Sequence, residues 1–152
     1  MHITIITIGK IRESYIRDGV SEYLKRLSPY VKIKEIELKA ESFTNTTKNK
    51  AKKLEGERML KALLKYPKEN IFLLDEYEKE YSSADFSNLL SFKNEIVFVI
   101  AGSLGWSDEL KKSNYKKISL SKMTMPHELA RLVLLEQIYR GITIINKKEY
   151  HH

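Results

Sequence analysis

The chain has 152 residues, 42% of them apolar and 31% charged, with a formal charge of +7 and no cysteine. That length and apolar share predict one folded domain over residues 1–152 and exclude a disordered chain. No apolar run has the length of a membrane span, the opening does not read as a signal peptide, and the lack of cysteine excludes disulfides, thiolate catalysis and cysteine-based zinc sites while fitting a cytoplasmic setting.

The net charge supports two readings. It suits a polyanion such as RNA, because each neutralised phosphate releases counterions. It suits equally a protein kept soluble by its charge. An acidic lipid surface fits less well, since no strongly amphipathic basic helix stands out.

Residues 2–8 are a nearly continuous β-branched run and predict a buried strand, ended by Gly9. Tyr15, Ile16, Val20, Tyr23, Leu24 and Leu27 fall on one face of a predicted helix over 11–27, which Ser28-Pro29 stops. Val31, Ile33, Ile36 and Leu38 predict a second strand, and residues 40–47 a polar loop. A helix follows over 48–64, with Ala51, Leu54, Met59, Leu60, Leu63 and Leu64 as its apolar positions. It opens on Lys48, Lys50, Lys52 and Lys53, where the helix dipole is already positive. This cluster reads as a solvated face or as a seat for an anion. Gly56 reads as a close-packing point or a bend.

Pro67 closes that region, residues 71–74 form a short strand, and residues 75–82 a charged loop. Ser82 or Ser83 caps a helix carrying Phe86, Leu89 and Leu90. Residues 96–100 are wholly apolar and empty into the small-residue turn Ala101-Gly102-Ser103-Leu104-Gly105. Ser107 with Asp108 and Glu109 marks another helix start. A last strand over 118–120 empties into a loop over 121–125, and Pro126 starts a long helix. Leu129, Ala130, Leu132, Val133, Leu134, Leu135, Ile138 and Tyr139 cover most of that helix's circumference, so part of it needs a second cover, and a second subunit is the natural one. The β-α alternation predicts an α/β fold with a parallel or mixed sheet.

Two strand ends, each followed by a loop, are how an open α/β sheet builds a ligand crevice. In the 101–105 loop, glycine lets backbone approach a ligand closely. The loop reads as an ordinary turn or as a seat for a nucleoside-like cofactor; neither a dinucleotide fingerprint nor a phosphate-loop motif is present. Met123 and Met125 wrap an adenine or fill gaps. Lys122 is a phosphate contact or a surface charge. Trp106 is a core anchor or a stacking platform. The dispersed histidines predict no metal site.

The runs AGSLG and SLSKMTMPHELARLVLLEQIYR, the tail EYHH, the opening ITIITIGKIRESY, and EYLKRLSPY and LEGERML resemble, end to end, the RlmH family. These are bacterial methyltransferases of the SPOUT class. The resemblance implies an open, mostly parallel sheet with helices on both faces, a C-terminal trefoil knot and a homodimer. It implies methyl transfer from S-adenosylmethionine to N3 of a pseudouridine in large-subunit (23S) ribosomal RNA, on the assembled ribosome, with no DNA or membrane partner. It carries cofactor binding onto Leu74, Ala101, Gly102, Leu120, Ser121, Lys122, Met123, Thr124 and Met125. Relatives commonly have Gly-Gly at Ala101-Gly102 and Gly at Glu78. They end in Tyr-His plus a basic residue, where this chain ends in Tyr150-His151-His152. The resemblance places that tail near the partner's cofactor site.

N3–H of a uracil-type ring is a weak acid, so the reaction needs a base or cationic donors that stabilise the forming anion. His127 in the first turn of the last helix, Arg131 one turn later, and Tyr150 and His151 of the tail are the catalytic candidates. Each also has an ordinary role: a helix-start residue for His127, a partner of Glu128 or another carboxylate for Arg131, and a frayed terminus for the tail. Two rivals of other classes stand beside this reading. One is a non-catalytic RNA-binding or ribosome-assembly protein. The other is a Rossmann-like nucleotide enzyme, against which the missing glycine fingerprint counts.

Overall fold

In the computed structural model, which describes residues 1–152, the opening β-branched run forms strand β1 (His2–Ile8) at the heart of a five-stranded sheet. The other strands are β2 (Lys32–Leu38), β3 (Ile71–Leu74), β4 (Glu95–Ile100) and β5 (Lys116–Ile118), in the order β2-β1-β4-β3-β5. Every pairing is parallel. A parallel sheet is covered on both faces, which is why β1 reads as a nearly continuous β-branched run and residues 96–100 of β4 as a wholly apolar one.

Helices α1 (Ser14–Leu27), α3 (Ser83–Ser91) and α5 (His127–Ile145) cover one face, packing Val20, Leu90 and Ile138 onto Ile3, Ile5, Phe72 and Phe98. Helices α2 (Lys48–Leu63) and α4 (Asp108–Lys111) cover the other, with Met59, Leu63 and Leu110 on Ile6, Ile8, Val97 and Val99. Each such fully buried side chain contributes about 1.5–3 kcal/mol relative to exposure. Gly56 serves close packing: a Cβ there would stand 2.3 Å from Ser107 Oγ, the cap of α4. No helix is long and apolar enough to cross a membrane.

Two boundaries and two apolar positions differ from the sequence reading. The first helix starts at Ser14 rather than at 11, because the Arg12 amide donates to the Glu128 carboxylate on α5 and so holds the preceding link off the helical path. Tyr15 and Leu64 are 69% and 81% exposed. Each sits one position, about 100° of helical turn, from the buried line marked by Ile16 and Leu63. The last strand ends at Ile118, not Leu120, because Ser119 leaves the ladder to pair with the loop after β3, its amide donating to the Lys79 carbonyl at 2.9 Å.

Candidate functional site

A cavity of about 550 Å³ opens at the carboxyl ends of β3, β4 and β5. Parallel strands place their following loops on one edge, so a crevice forms there. Its wall takes Leu74 from the end of β3 and residues 100–106 from the loop after β4. Leu120, Ser121, Met123, Thr124 and Met125 come from the loop after β5, and Pro126, His127 and Ala130 from the start of α5. Lys52 of α2 and Lys111 of α4 complete it.

Local chemistry fixes each loop. Gly105 has φ +77° and closes a turn in which its amide donates to the Gly102 carbonyl at 3.0 Å. That left-handed conformation is why glycine stands there. Gly102 answers a different need: a Cβ on it would stand 2.9 Å from Ile8 Cγ2, so its bareness serves packing onto β1. Trp106 is the anchor, 7% exposed, its indole N–H donating to the Leu74 carbonyl at 3.1 Å and tying the β4 loop to the end of β3. The loops after β3 and β5 are joined as well: the Lys122 amide donates to Glu80 Oε1 at 2.9 Å and Ser119 Oγ to the Glu76 carbonyl at 3.4 Å.

Of the nine positions carried over for the cofactor, Lys122 alone lies off the cavity wall; its amide is taken by Glu80 and its side chain is exposed. Ala101 lines the cavity and also packs against the core beneath α2. Glu78 keeps a negative φ and closes an ordinary turn, its amide donating to the Asp75 carbonyl at 3.2 Å. Its side chain therefore does not distort the loop.

The catalytic candidates are not gathered in one protomer. His127 lines the cavity. Arg131 does not: its guanidinium lies under α5, donating to Glu35 Oε1 at 2.7 and 2.9 Å and to Glu37 Oε2 at 3.2 Å. Tyr150 and His151 lie further along α5. Tyr150 Oη is 3.4 Å from Glu136 Oε1 and 3.5 Å from Tyr23 Oη, and His151 Nδ1 is 3.5 Å from Arg140 Nη1. Nine residues of helix separate His127 from Glu136, about 13 Å along the axis. The hydrogen bond with Tyr23, then burial, push the Tyr150 hydroxyl up to about 12, so in this seat it is a neutral hydrogen-bonding group and not a base.

A family model described as "Predicted SPOUT methyltransferase" matches residues 1–151. The chain belongs to the SPOUT methyltransferases. Curated relatives named "Ribosomal RNA large subunit methyltransferase H" include those of Carboxydothermus hydrogenoformans, 42% identical over 99% of both chains, and Clostridium tetani, 45% identical over 99% of both. That of Kosmotoga olearia is 41% identical over 100% of both. Such identity over full length places the chain in the RlmH family within the SPOUT class. A probable methylase family protein from Haemophilus influenzae Rd KW20 shares the fold, with a TM-score of 0.58 at 12% identity, covering 99% of this chain and 70% of that one.

The SPOUT cavity fits an adenosyl cofactor in size and in donors. Its volume lies within the range of small-molecule sites, about 300–1,000 Å³. Ser103, Leu120 and Met125 line it, and no carbonyl of the chain accepts from their main-chain amides. Unclaimed amides beside the apolar side chains of Leu74, Leu120 and Met125 are what a purine ring with its edge nitrogens needs.

Sequence reasoning passed over Glu55, because a glutamate in a helix rich in charged residues looks solvated. It is 7% exposed, and its Oε1 lies 3.5 Å from where a Cβ on Gly102 would stand. Burial raises the pKa of its carboxyl. A folded-state pKa above the unfolded one means that this group favours folding below the ordinary carboxylate range and opposes it as pH rises through the folded value. Glu55→Gln therefore stabilises the protein near neutral pH, and the gain vanishes below about pH 4. Urea midpoints across that range check it; a loss of stability at neutral pH contradicts it.

Proposed function

We propose that this chain transfers the methyl group of S-adenosylmethionine to N3 of a pseudouridine in large-subunit ribosomal RNA, as a cytoplasmic homodimer acting on the assembled ribosome. The observation that carries the reading is the cavity wall itself, built jointly by the loops after β4 and β5 from residues that include Ser103, Leu120 and Met125, whose amides no carbonyl of the chain takes up. The names of the relatives support ribosomal RNA as the methyl acceptor. The charge of +7 suits it.

Once bound, the cofactor supplies an activated methyl on a sulfonium. What remains for the protein is positioning and exclusion of water. Leu74, Gly102, Leu120 and Met125 hold the cofactor, and Ala130 and Pro126 close the wall behind it. His127, the one catalytic candidate on this wall, takes or orients the N3 proton. Tyr150 and His151 are turned away from their own protomer's cavity, and a partner's tail is the reading under which they meet the acceptor. Leu129, 37% exposed at the start of α5, supports a partner packed along that helix.

Labelled-methyl transfer to purified ribosomes lacking the modification, followed by nucleoside analysis, tests the reaction. The expected product is N3-methylpseudouridine. Labelled cofactor that binds but never yields a methylated nucleoside turns the chain into an RNA-binding assembly protein. Removing residues 150–152 should leave cofactor affinity within about twofold and lower transfer by about 10²-fold, the range for loss of a proton-handling group. Full transfer by the truncated chain removes the tail from the site.

A further inference from the structure

Resting on the reading above, we infer that Tyr77 and Met123 form a preorganised lip at the cavity mouth that stacks on an unpaired nucleobase of the RNA substrate. Both side chains line the cavity, and both are held out in water, 88% and 78% exposed. Each is presented by a turn that fixes its backbone. The Tyr77 amide donates to Asp75 Oδ1 at 3.1 Å, and the Met123 amide donates to Ser121 Oγ at 3.0 Å. The two turns are knitted together by the Ser119–Lys79 and Lys122–Glu80 hydrogen bonds. An exposed aromatic side chain alone means little. Two large apolar groups on mutually braced turns, lining one cavity, make a stacking surface whose backbone is fixed before the ligand arrives, which lowers the ordering cost of binding.

Charge identifies the occupant. Every ion pair in the structure uses arginine, which leaves Lys52 and Lys111 on the cavity wall, and Lys48, Lys50 and Lys53 in the first turns of α2, free of carboxylate partners. Asp75 and Glu76 line the cavity beside Tyr77, and Lys79 and Lys122 lie close in sequence to the two lip residues. Phosphates are drawn to these lysines, and Asp75 and Glu76 beside Tyr77 disfavour a phosphate on its ring, which leaves that ring to an uncharged base. A basic track beside an aromatic platform is the recognition pattern for single-stranded nucleic acid.

The test measures three things on wild type, Tyr77→Ala, Tyr77→Phe and Met123→Ala. These are the anisotropy of a labelled oligouridylate of about ten nucleotides, the affinity for intact ribosomes, and calorimetry with S-adenosylmethionine. Tyr77→Ala should weaken oligonucleotide binding about tenfold with its cofactor affinity held, with Tyr77→Phe near wild type and Met123→Ala showing a smaller loss of oligonucleotide binding. Unchanged oligonucleotide binding in Tyr77→Ala, or no binding by wild type, overturns the lip. A loss confined to intact ribosomes also overturns it, in favour of a protein contact, and a loss of cofactor affinity overturns it in favour of a cofactor lid. The reaction itself fails separately, and only if wild type binds no cofactor or yields no methylated nucleoside.

Discussion

Arg131→Met should cost about 3 kcal/mol of folding stability, measured by urea denaturation. The side chain is 5% exposed and serves two carboxylates, Glu35 at 22% and Glu37 at 35% side-chain exposure. Removing it leaves two acids side by side on β2 with no counter-charge. Breaking a buried pair from one side costs about 3–5 kcal/mol, and the partial exposure of both acids puts this case at the low end. Adding Glu35→Gln and Glu37→Gln should recover much of the loss, since neutral amides carry no stranded charge. The pair also clamps the start of α5, whose Pro126 and His127 form cavity wall, so cofactor affinity should fall in step with stability. If Arg131 instead touches the acceptor, Arg131→Met will lose transfer while its urea midpoint holds. That outcome contradicts the clamp.

Gly102→Val should abolish measurable cofactor binding, a loss of at least about 10²-fold by calorimetry. The Cβ alone already meets Ile8 Cγ2 at 2.9 Å, and Ile8 is buried on β1, an interior strand, and cannot withdraw. The loop must move instead. Overpacking of this kind costs about 1–3 kcal/mol of stability, and the displacement is paid at the cavity because the same loop carries the Ser103 amide. Gly105→Ala offers a contrast. It has open space around its Cβ but a φ of +77°, so it should cost about 1 kcal/mol through backbone strain, with a smaller effect on affinity. Equal affinities for wild type and Gly102→Val would detach the loop from the site.

The parallel α/β architecture was legible because its signals are local. The β-branched run at residues 3–8 and the wholly apolar run at 96–100 read as strands buried on both faces, and Ser82 and Ser107 cap their helices as their positions suggest. Strand order and long-range partners are not local. Nothing around Arg131 says that its charge is spent on β2, ninety-four and more residues earlier in the chain. The pairing of the loops after β3 and β5 was likewise out of reach, so Leu120 read as strand and Tyr77 as one residue of a charged loop. For the cavity, the resemblance named positions on three loops, and the geometry supplies what it could not: that Lys122 faces away, that Gly102 answers to Ile8, and that the tail rests about two turns and more from its own protomer's His127.

The claim on which the rest stands is that the loops after β4 and β5 close on one cofactor molecule together. Amide hydrogen exchange, read residue by residue with and without S-adenosylmethionine, tests it most directly. Saturating cofactor should slow exchange at Ser103, Leu120 and Met125 with a common concentration dependence. Protection at only one of the two loops, or protection elsewhere with these amides unchanged, contradicts the account.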